Sequence, residues 1–191
     1  MTMCRVVIGI SGASGALIPL RIMQLLADTG AVEIHLVVSP AAERTLRHEV
    51  GADGFYRVRQ LAARFHDCDD IGAAIASGSF HTMGMIVAPC SMRTLAAISS
   101  GISDNLLVRA ADVHLKERRK LVLMARETPL HLGHLRNMCA VTEMGGVIMP
   151  PVPAFYHRPM SVDDIVDHLA ARAIDQLHLP IDNQARAWDP G

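Results

Sequence analysis

The residues best suited to do chemistry in this sequence stand where apolar runs stop. Residues 121–125, LVLMA, are apolar enough to form a buried strand, and Arg126 and Glu127 follow side by side, then Thr128 and Pro129. Cations crowd this part of the chain. Six of the 18 Lys and Arg residues lie between positions 109 and 127, against three acids, Asp112, Glu117 and Glu127. Arg118, Arg119 and Lys120 read equally well as a solvated helix end. Three further apolar runs open onto short hydroxyls: Gly12-Ala13-Ser14 after residues 5–10, Ser39 after residues 33–38, and Ser91-Met92-Arg93-Thr94 after residues 83–88. Hydroxyls at helix N-termini with an arginine close by suit a phosphate monoester. Lys116 and Arg172 are more distant cations that would serve a second phosphate.

Such residues act together only if one framework collects them, and the order of elements supplies one. The run RVVIGI is followed by GASG and an amphipathic stretch over 16–29, with Leu17, Leu20, Met23 and Leu26 at helical spacing. Strands are predicted at 5–10, 33–38, 83–88, 121–125 and 147–149. Helices are predicted at 16–29, from 41, at 71–76, 95–100, 104–116, 131–144 and 162–177. Five strands alternating with helices imply a single α/β domain over residues 1–191, a Rossmann-like, doubly wound parallel sheet flanked by helices, with a C-terminal tail from about 180 that carries the only Trp, Trp188. In that architecture ligands bind at the carboxyl ends of the strands, where the four polar groups stand. Residues 55–69 give no clear pattern. The segment PPVPAFY at 150–156 is stiffened by proline and holds Tyr156 rigidly.

Composition narrows the function. With 191 residues, half of them hydrophobic but only 4% aromatic, the core must be built from Ala, Val, Ile, Leu and Met; the 11 methionines read as core filler. A net charge of −1 argues against a nucleic-acid binder working through bulk charge. Apolar runs of strand length give neither a membrane span nor a signal peptide. Cys4, Cys68, Cys90 and Cys139 lack paired spacing and read as free thiols in a reducing compartment, the cytoplasm. A mean hydropathy of +0.25 suggests surface buried between subunits.

Several motifs are approached and missed. GISGASG is not G-x-G-x-x-G, and no acid follows the second strand to hold a ribose, which excludes a standard dinucleotide site. There is no P-loop lysine motif, and Gly12-Ala13-Ser14-Gly15-Ala16 fails as a nucleophile elbow at its fifth residue. Ser14 reads either as a hydroxyl for a phosphate or flavin, or as a helix cap. His131 and His134 have no convincing third ligand and read as surface or capping residues; Cys90 has no histidine spaced to activate it.

The segments GISGASG (9–15), VVSPAA (37–42), APCSMRTLAAI (88–98), DNLLVRAADVHLKERRKLVL (104–123), RETPLHLGHLRNM (126–138) and PPVPAFYHRP (150–159) closely resemble the UbiX-type flavin prenyltransferase family, which includes the subunit-B proteins of phenolic-acid decarboxylases. The resemblance spans nearly the whole chain. It implies a homododecamer that joins the dimethylallyl group of dimethylallyl phosphate to N5 and C6 of reduced FMN, without a metal. The product, prenylated FMN, would serve UbiD-type decarboxylases in ubiquinone synthesis or aromatic-acid degradation. By position, Gly12, Ala13, Ser14, Ser39, Ser91, Met92, Arg93, Thr94 and Arg126 would hold FMN. Lys116, Glu127, Tyr156 and Arg172 would surround dimethylallyl phosphate, with Glu49 brought in by another subunit. Ile18-Pro19 stands where the family usually has Tyr-Gly, so the first helix is expected to begin differently. The runner-up enzyme is an FMN-dependent cysteine-type decarboxylase, whose motifs after the third strand and later in the chain are absent. A non-enzymatic flavin carrier would not need Lys116, Glu127, Tyr156 and Arg172 together.

Overall fold

The computed structural model describes residues 4–187, so Trp188 lies outside the described residues. One parallel sheet of six strands organises the chain: β1 (Cys4–Ile10), β2 (Val32–Val38), β3 (Arg64–His66), β4 (Gly84–Cys90), β5 (Lys120–Ala125) and β6 (Val147–Ile148), in the spatial order β3-β2-β1-β4-β5-β6. The chain runs outward from β1 to β3, then returns to the centre and continues outward through β4 to β6. The reversal falls between β1 and β4, and a crevice opens there at the carboxyl ends of the strands.

Seven helices cover the sheet: α1 (Leu17–Asp28), α2 (Pro40–Glu49), α3 (Gly54–Leu61), α4 (Met92–Ser99), α5 (Leu106–Lys116), α6 (Leu132–Glu143) and α7 (Val162–Asp175). Successive strand residues point to opposite faces, and each face has its own core. Val6, Ile8, Ile10, Ile34, Leu36, Ile86 and Val122 pack with α1 and α7 residues such as Ile22, Met23, Leu169 and Ile174. Val7, Val37, Met85, Val87, Leu121 and Leu123 pack with Leu95, Leu107, Ala111 and Val141 from α4, α5 and α6. Aliphatic side chains fill both layers. Met23, Met85 and Met124 are fully buried, whereas Met83, Met144 and Met160 are exposed, so core filling accounts for only some of the methionines.

The structure corrects the predicted element list in three places. There are six strands, not five; β3 and α3 both come from the stretch without a clear pattern. Residues 71–76 form turns and a short 3-10 segment at Ala74–Ala76 instead of a helix. Helix α1 accommodates Pro19 in its first turn, where a missing N–H breaks no intrahelical bond.

β3 is held by histidine chemistry rather than by apolar alternation. His66 Nε2 and His35 Nδ1 lie 2.9 Å apart, His35 Nε2 is 2.9 Å from Glu33, and Glu33 also accepts from Arg5 at 3.3 Å. Burial, reinforced by His35 and Arg64, lowers the His66 pKa to about 4. On α5, His114 shares a hydrogen bond of 2.9 Å with Thr82 and donates from Nδ1 to the Ala110 carbonyl at 2.7 Å; burial lowers its pKa to about 4 as well. Both histidines are neutral when folded and take up protons more readily when unfolded. Their contribution is present above the unfolded value of about 6.5 and is lost as pH falls toward 4. Urea midpoints measured from pH 7 to pH 4 are expected to drop, with each histidine adding up to about 1.4 kcal/mol per pH unit to the slope. His66→Asn and His114→Asn should each flatten that slope, and an unchanged slope in both would remove the assignment.

Candidate functional site

The crevice is built from four strand ends laced together by backbone and serine. Ser11, buried just past β1, donates its hydroxyl to the Pro89 carbonyl at 2.8 Å and accepts from the Ser91 amide at 2.7 Å. The Ser39 amide donates to the Ile10 carbonyl at 3.0 Å, and the Arg126 amide donates to the Cys90 carbonyl at 3.1 Å. The ends of β2, β1, β4 and β5 are therefore tied in sequence across the sheet, and Gly12, Ala13, Ser14, Ser39, Ser91, Met92, Arg93, Thr94, Arg126 and Glu127 all stand along one edge.

Two of the predicted serines are true helix caps. Ser39 accepts from the Ala42 amide at 3.2 Å, with Pro40 opening α2, and Ser91 accepts from the Thr94 amide at 3.3 Å while donating to the Thr94 hydroxyl at 3.1 Å. Ser14 is not a cap; α1 has Ala16 at that position and no side-chain cap bond. Arg93, placed by the resemblance among the flavin ligands, reaches instead to Asp104 at 2.5 Å.

Glu49 has a place in its own chain that the sequence did not suggest. Its carboxylate accepts from the Gly15 amide at 2.8 Å and the Ala16 amide at 2.7 Å. Helix α2 makes this possible by lying along the turn after β1. At its start, a Cβ added to Gly12 would come within 2.5 Å of the Ala41 Cβ; at its end, Glu49 covers the start of α1. Partial burial pulls the Glu49 carboxyl up, but hydrogen bonds from Ser14, Ala16 and Gly15, with Arg126 nearby, together hold it below its ordinary value. The amides expected to be free for a phosphate at α1 are thus occupied by a carboxylate. The N-termini of α2 and α4, with Arg126, remain the anion-binding ends of the crevice.

The residues assigned to dimethylallyl phosphate fall into separate groups. Glu127 stands beside Arg126 at the carboxyl edge and accepts from the Thr128 amide at 3.1 Å. Tyr156 lies in the 3-10 turn Phe155–His157, its ring 4.3 Å from that of His157 and 6.5 Å from that of His168 on α7; Arg172 is one helical turn beyond His168. Lys116 ends α5 at the amino edge of the sheet, in an ion pair with Glu117 and against Gly78. Strand β5 separates it from Arg126, and six strand residues span about 20 Å. One chain therefore does not bring Lys116 to Glu127.

Two expected bystanders are confirmed as such. His131 caps α6, accepting from the Gly133 amide at 3.0 Å, and stacks on His134. Cys90 is fully buried, and burial pushes its thiol up to about 12, far from a nucleophilic thiolate. Among the described residues, no group of three or more His, Cys, Asp or Glu is arranged to hold a metal.

The sheet order and the crevice at its reversal define a Rossmann-like flavoprotein. Residues 1–174 match the family model described as Flavoprotein. The chain is 54% identical to the flavin prenyltransferase UbiX of Escherichia coli K12 over 186 residues, covering 96% of this chain and 98% of that protein. It is 53% identical to the protein of the same name from Thauera aromatica over 178 residues, covering 93% and 91%. It therefore belongs to the UbiX-type flavin prenyltransferase family. The structure of AnUbiX (PadA1) in complex with FMN and dimethylallyl pyrophosphate superposes with a TM-score of 0.92 at 46% identity over 99% of both chains. A dodecameric FMN-dependent UbiX-like decarboxylase from Escherichia coli O157:H7 does so at 0.92 and 48% identity, over 97% of this chain and 99% of that one. The cysteine decarboxylase TvaF, at 16% identity and a TM-score of 0.66, shares the fold alone.

The close approach at Gly12 and the positive φ of 116° at Gly15 make both positions intolerant of a side chain. Gly12→Ala is expected to displace α2 from the turn and to lower retention of FMN at least tenfold, measured by flavin fluorescence, while urea unfolding shifts by no more than about 1–3 kcal/mol. Wild-type FMN affinity in Gly12→Ala would show that the crevice does not depend on this packing.

Proposed function

We propose that the chain transfers the dimethylallyl group of dimethylallyl phosphate to N5 and C6 of reduced FMN and passes prenylated FMN to a UbiD-type decarboxylase. The observation that carries this reading is the laced carboxyl edge, where two serine-capped helix N-termini and Arg126 meet and Glu127 stands next to them. The donor set fits FMN: capped helix ends and an arginine suit its phosphate, and Gly12 lets the turn after β1 pack closely against the start of α2, which carries one of those caps. Gly12, Ala13, Ser14, Ser39, Ser91, Met92, Thr94 and Arg126 would hold it. Arg93 takes part through its backbone at the start of α4, since its guanidinium pairs with Asp104.

Reduced flavin supplies the electron-rich centres that attack the allyl group. The protein's task is to place the two partners and to neutralise departing phosphate. Tyr156 and Arg172, linked through His168, form one candidate phosphate clamp, and Lys116 supplies a further cation. Because Lys116 and Glu127 stand at opposite edges of one sheet, their joint action requires contact between chains. A homododecamer, the assembly named for the related Escherichia coli protein, would provide it and would enclose the reacting groups away from water. Glu127, exposed in the single chain, is positioned to hold or move the proton at N5. Glu49 acts differently, as the carboxylate that fixes Ser14 and the Gly15–Ala16 backbone.

Four free cysteines suit a reducing compartment, which we take to be the cytoplasm, and no helix among the described residues is long and apolar enough to cross a membrane.

Anaerobic incubation with reduced FMN and dimethylallyl phosphate, followed by mass spectrometry of the extracted flavin, is expected to give a species heavier than FMN by one prenyl unit. Glu127→Gln should retain FMN but slow this conversion by about 10²-fold or more. Bound but unmodified flavin from the wild-type protein would overturn the reading. Glu49→Ala should instead weaken FMN retention, because the one acceptor for the Gly15 and Ala16 amides is lost.

A further inference from the structure

A second polar cavity lies outside the crevice. It occupies about 480 Å³ between α1, residues 154–159, α7 and residues 184–186. Its charged lining is Arg21, Arg158, Arg186, Asp164 and Asp167, with His157 and His168 forming the wall toward Tyr156 and Arg172. Three arginines face two aspartates, one positive charge in excess before either imidazole is counted.

The carboxylates are already engaged. Asp164 closes the cap of α7, accepting from the Met160 amide at 2.8 Å and the Ser161 amide at 2.9 Å, and these bonds hold its carboxyl below the ordinary range. Asp167 is gripped by Arg21 at 2.6 and 3.3 Å in a two-point contact. Arg158 and Arg186 enter no ion pair among the described residues. The backbone that carries each of them is fixed. Arg158 takes a left-handed backbone conformation, φ 51° and ψ 57°, at the end of the 3-10 turn, which is uncommon for a residue with a side chain. Arg186 follows a segment tethered by Asp175, whose carboxylate accepts from the Gln184 amide at 2.8 Å and the Ala185 amide at 3.1 Å. Two unneutralised guanidiniums and two imidazoles around a cavity whose acids are spent form a receptor for a tetrahedral dianion. Leu25, Ile165 and Ala171 line the remainder and leave room for a small apolar group.

We propose that this cavity is a binding site for a phosphate monoester, separate from the flavin crevice, with Arg158 and Arg186 as its anion-binding residues. The inference stands on the cavity and does not rely on prenyl transfer. Isothermal titration of inorganic phosphate into FMN-saturated protein, and into its Arg172→Ala variant so that neither the flavin's phosphate site nor the proposed Tyr156–Arg172 clamp can account for the binding, tests it. Saturable binding is expected, weakened at least tenfold in the Arg158→Ala/Arg186→Ala double variant. Asp167→Asn, which releases Arg21, should tighten binding about threefold or more, a gain that misfolding cannot imitate. No saturable binding to the wild-type protein or to Arg172→Ala, or wild-type affinity in both the double variant and Asp167→Asn, would overturn the proposal.

Discussion

The hydroxyl of Ser11 holds this site together. Buried between the ends of β1 and β4, it bridges the Pro89 carbonyl and the Ser91 amide, on either side of Cys90, at 2.8 and 2.7 Å. A parallel sheet whose chain order reverses must leave its two central strand ends diverging into different helices. Without a tie those ends are held only by the sheet below them. With it, the turn leading to α1 and the turn leading to α4 move as one body, and Ser39 and Arg126 extend that body by a backbone bond on each side. Losing such a buried bridge leaves two backbone groups unpaired, which costs more than the bridge itself contributes.

Rigidity on one side of the crevice contrasts with the dispersion of the other functional groups. The flavin-side residues sit on four adjacent strand ends and need only the fold to be assembled. The cations do not. Lys116 closes a helix that runs back to the amino edge, and Arg172 lies well down α7, about 15 Å of helical rise from its start. Under the proposed function, one chain would thus carry half a site plus separate contributions offered outward. Exposed apolar residues on the same surfaces, Leu132 and Leu135 on α6 and Val152, Phe155 and Met160 around the proline segment, are consistent with packing against other copies.

Much of this was legible in the sequence, and the failures share a cause. The four central strands announce themselves as apolar runs because they are buried on both faces, and the polar residues after them mark the crevice. β3 did not, because its three residues, Arg64, Phe65 and His66, are held by the His66–His35 contact and lie at an edge. α3 is short and rich in arginine, with only Val58 and Gly54 fully buried, so its periodicity is faint. Glu49 is legible only through family resemblance, and its contact with the turn after β1 is not legible at all. No spacing rule connects it to Gly15, 34 residues earlier; the connection exists because α2 lies over the turn instead of returning along the sheet.

That path of α2 also explains why the first turn is not a standard dinucleotide site, beyond its missing glycine pattern. In a Rossmann domain the N-terminus of the first helix receives a pyrophosphate. Here Glu49 supplies a protein anion to the same amides, at 2.8 and 2.7 Å, and Arg126 lies near enough to help keep it ionised. A carboxylate already seated there repels a second anion, so a ligand's phosphate is directed to the other helix ends, at α2 and α4. The proposed flavin-binding edge is thus defined as much by the position that Glu49 blocks as by those that Ser39 and Ser91 leave open.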